Sequence, residues 1–111
     1  LRILAEFLEP LSRLTHFGIK DTIVFFGSAR IPSKSAARAR LKEARGRQQA
    51  AGAVAPQAEI EAAERALQMS RYYEDAVELA RLLTAWAATL KNTHRHFVVC
   101  SGGGPGIMEA A

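Results

Sequence analysis

Phe97-Val98-Val99-Cys100-Ser101-Gly102-Gly103-Gly104-Pro105-Gly106-Ile107-Met108-Glu109-Ala110-Ala111 reads as a strand, a glycine turn and the start of a helix. Residues 97–100 are apolar and partly β-branched, which predicts a strand buried on both faces. Three successive glycines suit a backbone that turns sharply or approaches a ligand closely. Pro105 fits the first helical turn, where its missing N–H costs nothing. A strand that ends at glycines and feeds a helix start presents free N–H groups and the positive end of a helix dipole, which together favour an anion. The expectation is a phosphate-binding turn in a parallel α/β protein. The weaker alternative is a turn whose glycines only let helix and strand pack closely. The stretch matches neither the dinucleotide fingerprint, which needs a glycine at Ile107 or Glu109, nor a P-loop, which needs Lys and Ser/Thr after its last glycine.

Working outward, Thr22-Ile23-Val24-Phe25-Phe26 is a second short apolar run, and Gly27-Ser28-Ala29-Arg30 follows its carboxyl end. Apolar strands separated by helical sequence call for a parallel pairing with a crossover. In an open parallel sheet ligands sit outside the carboxyl ends of strands. The two glycine turns are therefore expected at one sheet edge. There Ser28 can donate its hydroxyl to a phosphate or ribose oxygen, and Arg30 can pair with a phosphate. The alternatives are a Ser28 hydroxyl spent on a nearby backbone N–H and an Arg30 that is a plain surface charge.

Between the strands the pattern is helical. Ser35 is placed to cap a helix over 36–49, and 51–56 reads as a break. A helix carrying Ile60, Ala63 and Leu67 follows, and another runs from Tyr72 to about Leu90; nothing between them is a hard breaker, so they can be one. The stretch 32–70 is longer than a simple crossover needs and is expected to be a helical insertion packed outside the basic unit. Ahead of the first strand, Ile3, Leu4, Phe7, Leu8, Leu11 and Leu14 share one face of a helix over 2–17. Pro10 is expected to kink or split it, and Gly18 to stop it. Its apolar face must cover the sheet or a partner chain.

The chain has 111 residues, 49% of them hydrophobic, enough for one small core. No apolar run reaches membrane-spanning length and no signal peptide is visible. A single cysteine suits a reducing compartment. These points favour a cytoplasmic protein without membrane contact. The start at Leu1 and the end within a helix start are read as the front part of a larger domain. Seven of the 15 basic residues (Arg30, Lys34, Arg38, Arg40, Lys42, Arg45, Arg47) fall within 30–50, against Glu43 alone. Such a patch can meet a nucleic acid or another polyanion. No aromatic residue between Phe26 and Tyr72 offers a stacking surface, so a solvated helix face is favoured over a nucleic-acid contact. His16 reads as structural. His94 and His96 alternate like one strand face, but no third ligand stands at supporting spacing, and no metal is expected. Cys100 is expected to be a packed thiol rather than a nucleophile.

Three motifs, Phe26-Gly27-Ser28-Ala29-Arg30, Arg71-Tyr72-Tyr73-Glu74-Asp75-Ala76 and the run from Ser101 to Ala111, resemble the LOG (Lonely Guy) family, Rossmann-like nucleotide-binding proteins formerly labelled possible lysine decarboxylases. The resemblance covers most of the chain; the stretch 34–67 carries none of the three motifs. It implies a Rossmann-like parallel sheet flanked by helices, of which this chain is the N-terminal part, and a homodimer. It implies hydrolysis of the N-glycosidic bond of a nucleoside 5′-monophosphate such as AMP, giving free base and ribose 5-phosphate without a cofactor. It also implies nucleotide-binding roles for Gly27, Ser28, Arg30, Gly102, Gly103, Gly104, Gly106 and Met108, with Gly103 and Gly104 lining the site. The family's second motif, Pro-Gly-Gly-x-Gly-Thr-x-x-Glu, and the arginine that works with it have no counterpart here. Glu109 does not match that catalytic glutamate and reads as a helix N-terminal acid. No residue of the chain is assigned the catalytic role, and the chain as given is expected to be catalytically silent. The alternative is a nucleotide- or nucleic-acid-binding module of the same architecture without hydrolysis.

Overall fold

The computed structural model describes residues 2–50, 57–91 and 94–111. The elements run α1 (Arg2–His16), β1 (Thr22–Phe25), α2 (Lys34–Ala50), α3 (Gln57–Ala88), β2 (Val98–Ser101) and α4 (Ile107–Ala110). The expected break at 51–56 lies outside the described residues. The described residues form a mixed helix and strand structure in which two strands pair in parallel, with Thr22 opposite Val98 and Phe25 opposite Ser101. The crossover between them is made by α2 and α3.

Helix α1 runs through Pro10 as one element, so the split anticipated at that residue does not occur. A proline removes one N–H bond, and the turns around it are held by Arg2–Glu6 and Arg13–Glu9 pairs at helical spacing. The stop at Gly18 is a Schellman motif. Gly18 has a φ of 67°; its N–H donates to Thr15 O and that of Ile19 to Leu14 O, the two bonds that close such an end. Pairing of the chain starts just beyond, where Lys20 N–H donates to Arg95 O and Arg95 N–H to Gly18 O.

Strand β2 starts one residue later than the sequence suggests. Phe97 has a φ of 54°, a left-handed conformation that breaks the extended run, and its ring packs on Trp86 with centroids 5.1 Å apart. Strand β1 likewise ends at Phe25, leaving Phe26 outside it. Period-two alternation then sorts the pair into faces. Ile23, Phe25, Val99 and Ser101 are half-buried, on the face that α3 and α4 approach. Val24 and Cys100 share the opposite face, and both are exposed; Val98, also on that face, is half-buried. Two expectations are corrected by this: the strands are not buried on both faces, and Cys100 is not a packed thiol. A helix lying over one face cannot reach the side chains of the other.

Helix α2 begins at Lys34, and its cap is Ser33 rather than Ser35. Ser33 Oγ accepts from Ala36 N–H at 3.3 Å, and Glu74 Oε1 of α3 accepts from Lys34 N–H at 2.9 Å. The two carboxyl and hydroxyl oxygens satisfy N–H groups that a helix start leaves without partners. Helix α3 is one helix of 32 residues. Leu41 and Ala44 of α2 pack on Ile60, Ala63 and Leu67 of α3, a cluster in which alanines let the helices approach closely. Farther along α3, Ala76 and Ala80 are buried. No helix among the described residues is long and apolar enough to cross a membrane.

The chain is thin, with extents of 63 × 39 × 15 Å. None of the residues of α1 is buried, and Ile3, Leu4, Phe7, Leu8 and Leu11 are each more than half exposed. Within the described chain this helix does not cover the sheet, whose open face carries Val24. Exposed apolar surface of this extent marks a contact surface. At high concentration the chain is expected to sediment as a dimer or larger species. Leu8→Glu with Leu11→Glu should shift it to monomer. A clean monomer from the unaltered sequence counts against this.

Candidate functional site

The register carries both glycine turns to one place. Because Phe25 lies opposite Ser101, residues 26–30 and 102–106 leave the sheet side by side at its carboxyl edge, as the spacing predicts. The turns are joined by backbone. Ile107 N–H donates to Ser28 O at 3.1 Å. Gly106, buried and with a φ of 77°, stands at the cap of α4. A β-carbon on Gly106 would lie 2.2 Å from Ser28 O and 2.9 Å from the backbone of Ala29; one on Gly27 would lie 2.6 Å from Ile107 Cγ2. Gly27 and Gly106 therefore permit the close approach of the first turn to the start of α4.

The other residues expected at the site divide differently. Ser28, Arg30, Gly102 and Gly103 are exposed. Ser28 Oγ accepts from Arg30 N–H at 3.2 Å, which shapes the turn and leaves its hydroxyl proton for an outside acceptor. Among the described residues no carboxylate pairs with Arg30. Ser101 Oγ donates to Met108 O at 2.8 Å and accepts from Gly103 N–H at 3.3 Å, pinning the glycine run to α4. Met108 lies back against that run: a β-carbon on Gly104 would meet its methyl group at 2.7 Å, and one on Gly102 its sulfur at 3.5 Å. Gly103 has a φ of 68° and open space where a side chain would stand.

Two local expectations change. Pro105 lies before the cap rather than in the first helical turn, because Gly106 takes the capping position. Fewer N–H groups are free at the start of α4 than a strand-to-helix turn suggests. That of Ile107 is used by Ser28 O, and those of Glu109 and Ala110 both go to Gly106 O. Glu109 stands in the first turn of α4, as expected of a helix N-terminal acid. Burial pushes the Tyr73 phenol up from its ordinary value, with the carboxylates of Glu109 and Glu74 adding to the rise. Glu74 meets the start of α2, and α3, which carries Tyr73 and Glu74, packs against α4. The motif Arg71–Ala76 singled these two residues out, but the capping role of Glu74 could not be read from it, since Glu74 and Lys34 lie 40 residues apart.

At the other end of the sheet a cleft of about 500 Å³ is lined by residues including Leu90, His94, Arg95, His96, Phe97 and Val99; no residue of the glycine turns lines it. His96 Nδ1 pairs with Asp21 Oδ2 there, tying the approaches to the two strands together. Among the described residues no group of three or more His, Cys, Asp or Glu side chains could hold a metal ion. Comparison of the chain with family models, with curated proteins and with solved structures finds no match.

Proposed function

We propose that the paired glycine turns form the phosphate end of a nucleoside 5′-monophosphate site, and that the protein is a LOG-type phosphoribohydrolase with a Rossmann-like sheet, acting as a cytoplasmic homodimer. The observation that carries this reading is the carboxyl edge of the sheet, where neighbouring turns carry exposed Ser28 and Arg30 on one and Gly103, whose side-chain position is open, on the other. The Arg30 guanidinium neutralises the phosphate, the Ser28 hydroxyl donates to one of its oxygens, and bare glycine backbone lets the ligand come close. The reaction adds water at the sugar carbon that bears the base; the base leaves with a proton, and ribose 5-phosphate remains. Its cationic sugar-like transition state needs a carboxylate beside the ring, and no residue of this chain is given that role.

The test is calorimetric titration with AMP, ribose 5-phosphate and adenosine. AMP and ribose 5-phosphate are expected to bind and adenosine to bind far more weakly. Arg30→Ala should weaken AMP about 10- to 100-fold, the worth of hydrogen bonds to a charged group, with unchanged melting. Absence of AMP and ribose 5-phosphate binding by the unaltered protein refutes the site. AMP bound by the intact protein with no adenine released makes it a binding module instead.

A further inference from the structure

Helix α2 carries six cations, and the structure separates them. Arg47 pairs with Glu43 and Glu59, and Arg40 faces the same acid-lined cleft. At 100° per residue, Lys34, Arg38, Lys42, Arg45 and Gln49 instead fall within an arc of about 80° on the other flank of the buried Ala37–Leu41–Ala44 stripe. A depression of about 440 Å³ on that flank is lined by Arg38, Leu41, Lys42, Arg45, Gly46 and Gln49, with no carboxylate among them. Only Arg45 has an ion-pair partner among the described residues, Glu64 of α3 at 2.9 Å. Toward the start of the helix, Lys34 and Arg38 border Arg71, Glu74 and Asp75, and Glu74 is already engaged by Lys34 N–H.

Gly46 is the second observation. Glycine inside a helix is destabilising relative to alanine, and here no packing requires it: a β-carbon would meet nothing within 4 Å. The missing side chain leaves the rim of the cationic depression open beside Lys42 and Arg45.

We propose that this flank of α2 docks the sugar–phosphate backbone of nucleic acid, at a site separate from the glycine turns. Arg38, Lys42 and Arg45 present charge at one-turn intervals over about 10 Å of helix. The one apolar residue lining the depression, Leu41, is buried, so contact here is by charge and amide alone. A regular chain of phosphates satisfies such a surface, whereas a peptide partner is anchored by a buried aromatic or aliphatic side chain. The lack of an aromatic residue on α2, which in the sequence alone favours a solvated face, removes base stacking but not phosphate contact, so recognition is of backbone and independent of base.

The test is fluorescence anisotropy with labelled oligothymidylate and oligoadenylate. Both are expected to bind alike, with log K falling against log salt at a slope of about −2, the value for three phosphate contacts on a single strand. Arg38→Gln with Lys42→Gln should reduce affinity at least tenfold and bring the slope to about −0.7, while AMP titration is unchanged. Gly46→Leu fills the depression; it should raise the melting temperature and weaken oligonucleotide binding. Lys42→Glu, a single exposed change, repeats the test should the double variant fold poorly. Unaltered affinity in the variants overturns the proposal, as does a salt-independent affinity. Displacement of the oligonucleotide by polyglutamate at equal charge concentration overturns it in favour of an acidic peptide partner.

Discussion

Gly106→Ala destabilises the chain by about 2–4 kcal/mol, the largest loss expected from one methyl group at the candidate site. Two costs combine. The backbone at Gly106 has a φ of 77°, where replacing glycine by alanine costs about 1 kcal/mol or more. The new carbon would also lie 2.2 Å from Ser28 O. That oxygen belongs to backbone and accepts the Ile107 N–H, so it cannot swing aside as a side chain end could. Relief requires the turns to separate, at the 1–3 kcal/mol typical of overpacking. Gly103→Ala is the control, because its φ of 68° imposes strain but its surroundings are open; about 1 kcal/mol is expected there. Urea unfolding of the two variants measures the difference. Equal losses would mean that the joint between the turns yields freely, and that Gly106 is not there for close packing.

Gly27→Ala is expected to cost about 1–3 kcal/mol by overpacking alone, and the loss should depend on Ile107. An added carbon would lie 2.6 Å from Ile107 Cγ2 and 2.7 Å from Ile107 Cβ. Since Cβ itself obstructs, Ile107→Ala relieves the clash only in part, whereas Ile107→Gly removes it. In the Ile107→Gly background Gly27→Ala should add no measurable cost, giving a coupling energy of 1 kcal/mol or more between the two positions. Additive losses would show that the two residues do not press on one another. Nucleotide titration of the same proteins separates packing from ligand contact, because a glycine needed only for the joint changes affinity no more than unfolding accounts for.

Element identity was legible in the sequence wherever the signal is local. The apolar spacing from Ile3 to Leu14 and the alanine- and leucine-rich run of α3 reflect helical bonds a few residues away, and the two strands show as short apolar runs. Gly18 is the clearest case, since both bonds of its Schellman end are made within five residues. The parallel pairing was legible too: two strands with long helical sequence between them need a crossover, and the crossover puts both glycine turns at one edge. Both turns that carry the expected site residues leave the sheet at that edge.

The amino-acid sequence by itself therefore determined the order and kind of the elements and the meeting of the two turns, because chain connectivity and side-chain period leave few alternatives. Only the tertiary structure decided what each residue does at that meeting. Ser33 rather than Ser35 caps α2, and Glu74 completes the cap from 40 residues away. Cys100 is exposed because it shares the open face with Val24. Gly27 and Gly106 hold two backbone segments together, whereas Gly103 faces open space. Apart from the Ser33 cap, which is made within four residues, these differences rest on distances between residues far apart in the chain, and no local pattern of residue types encodes such a distance.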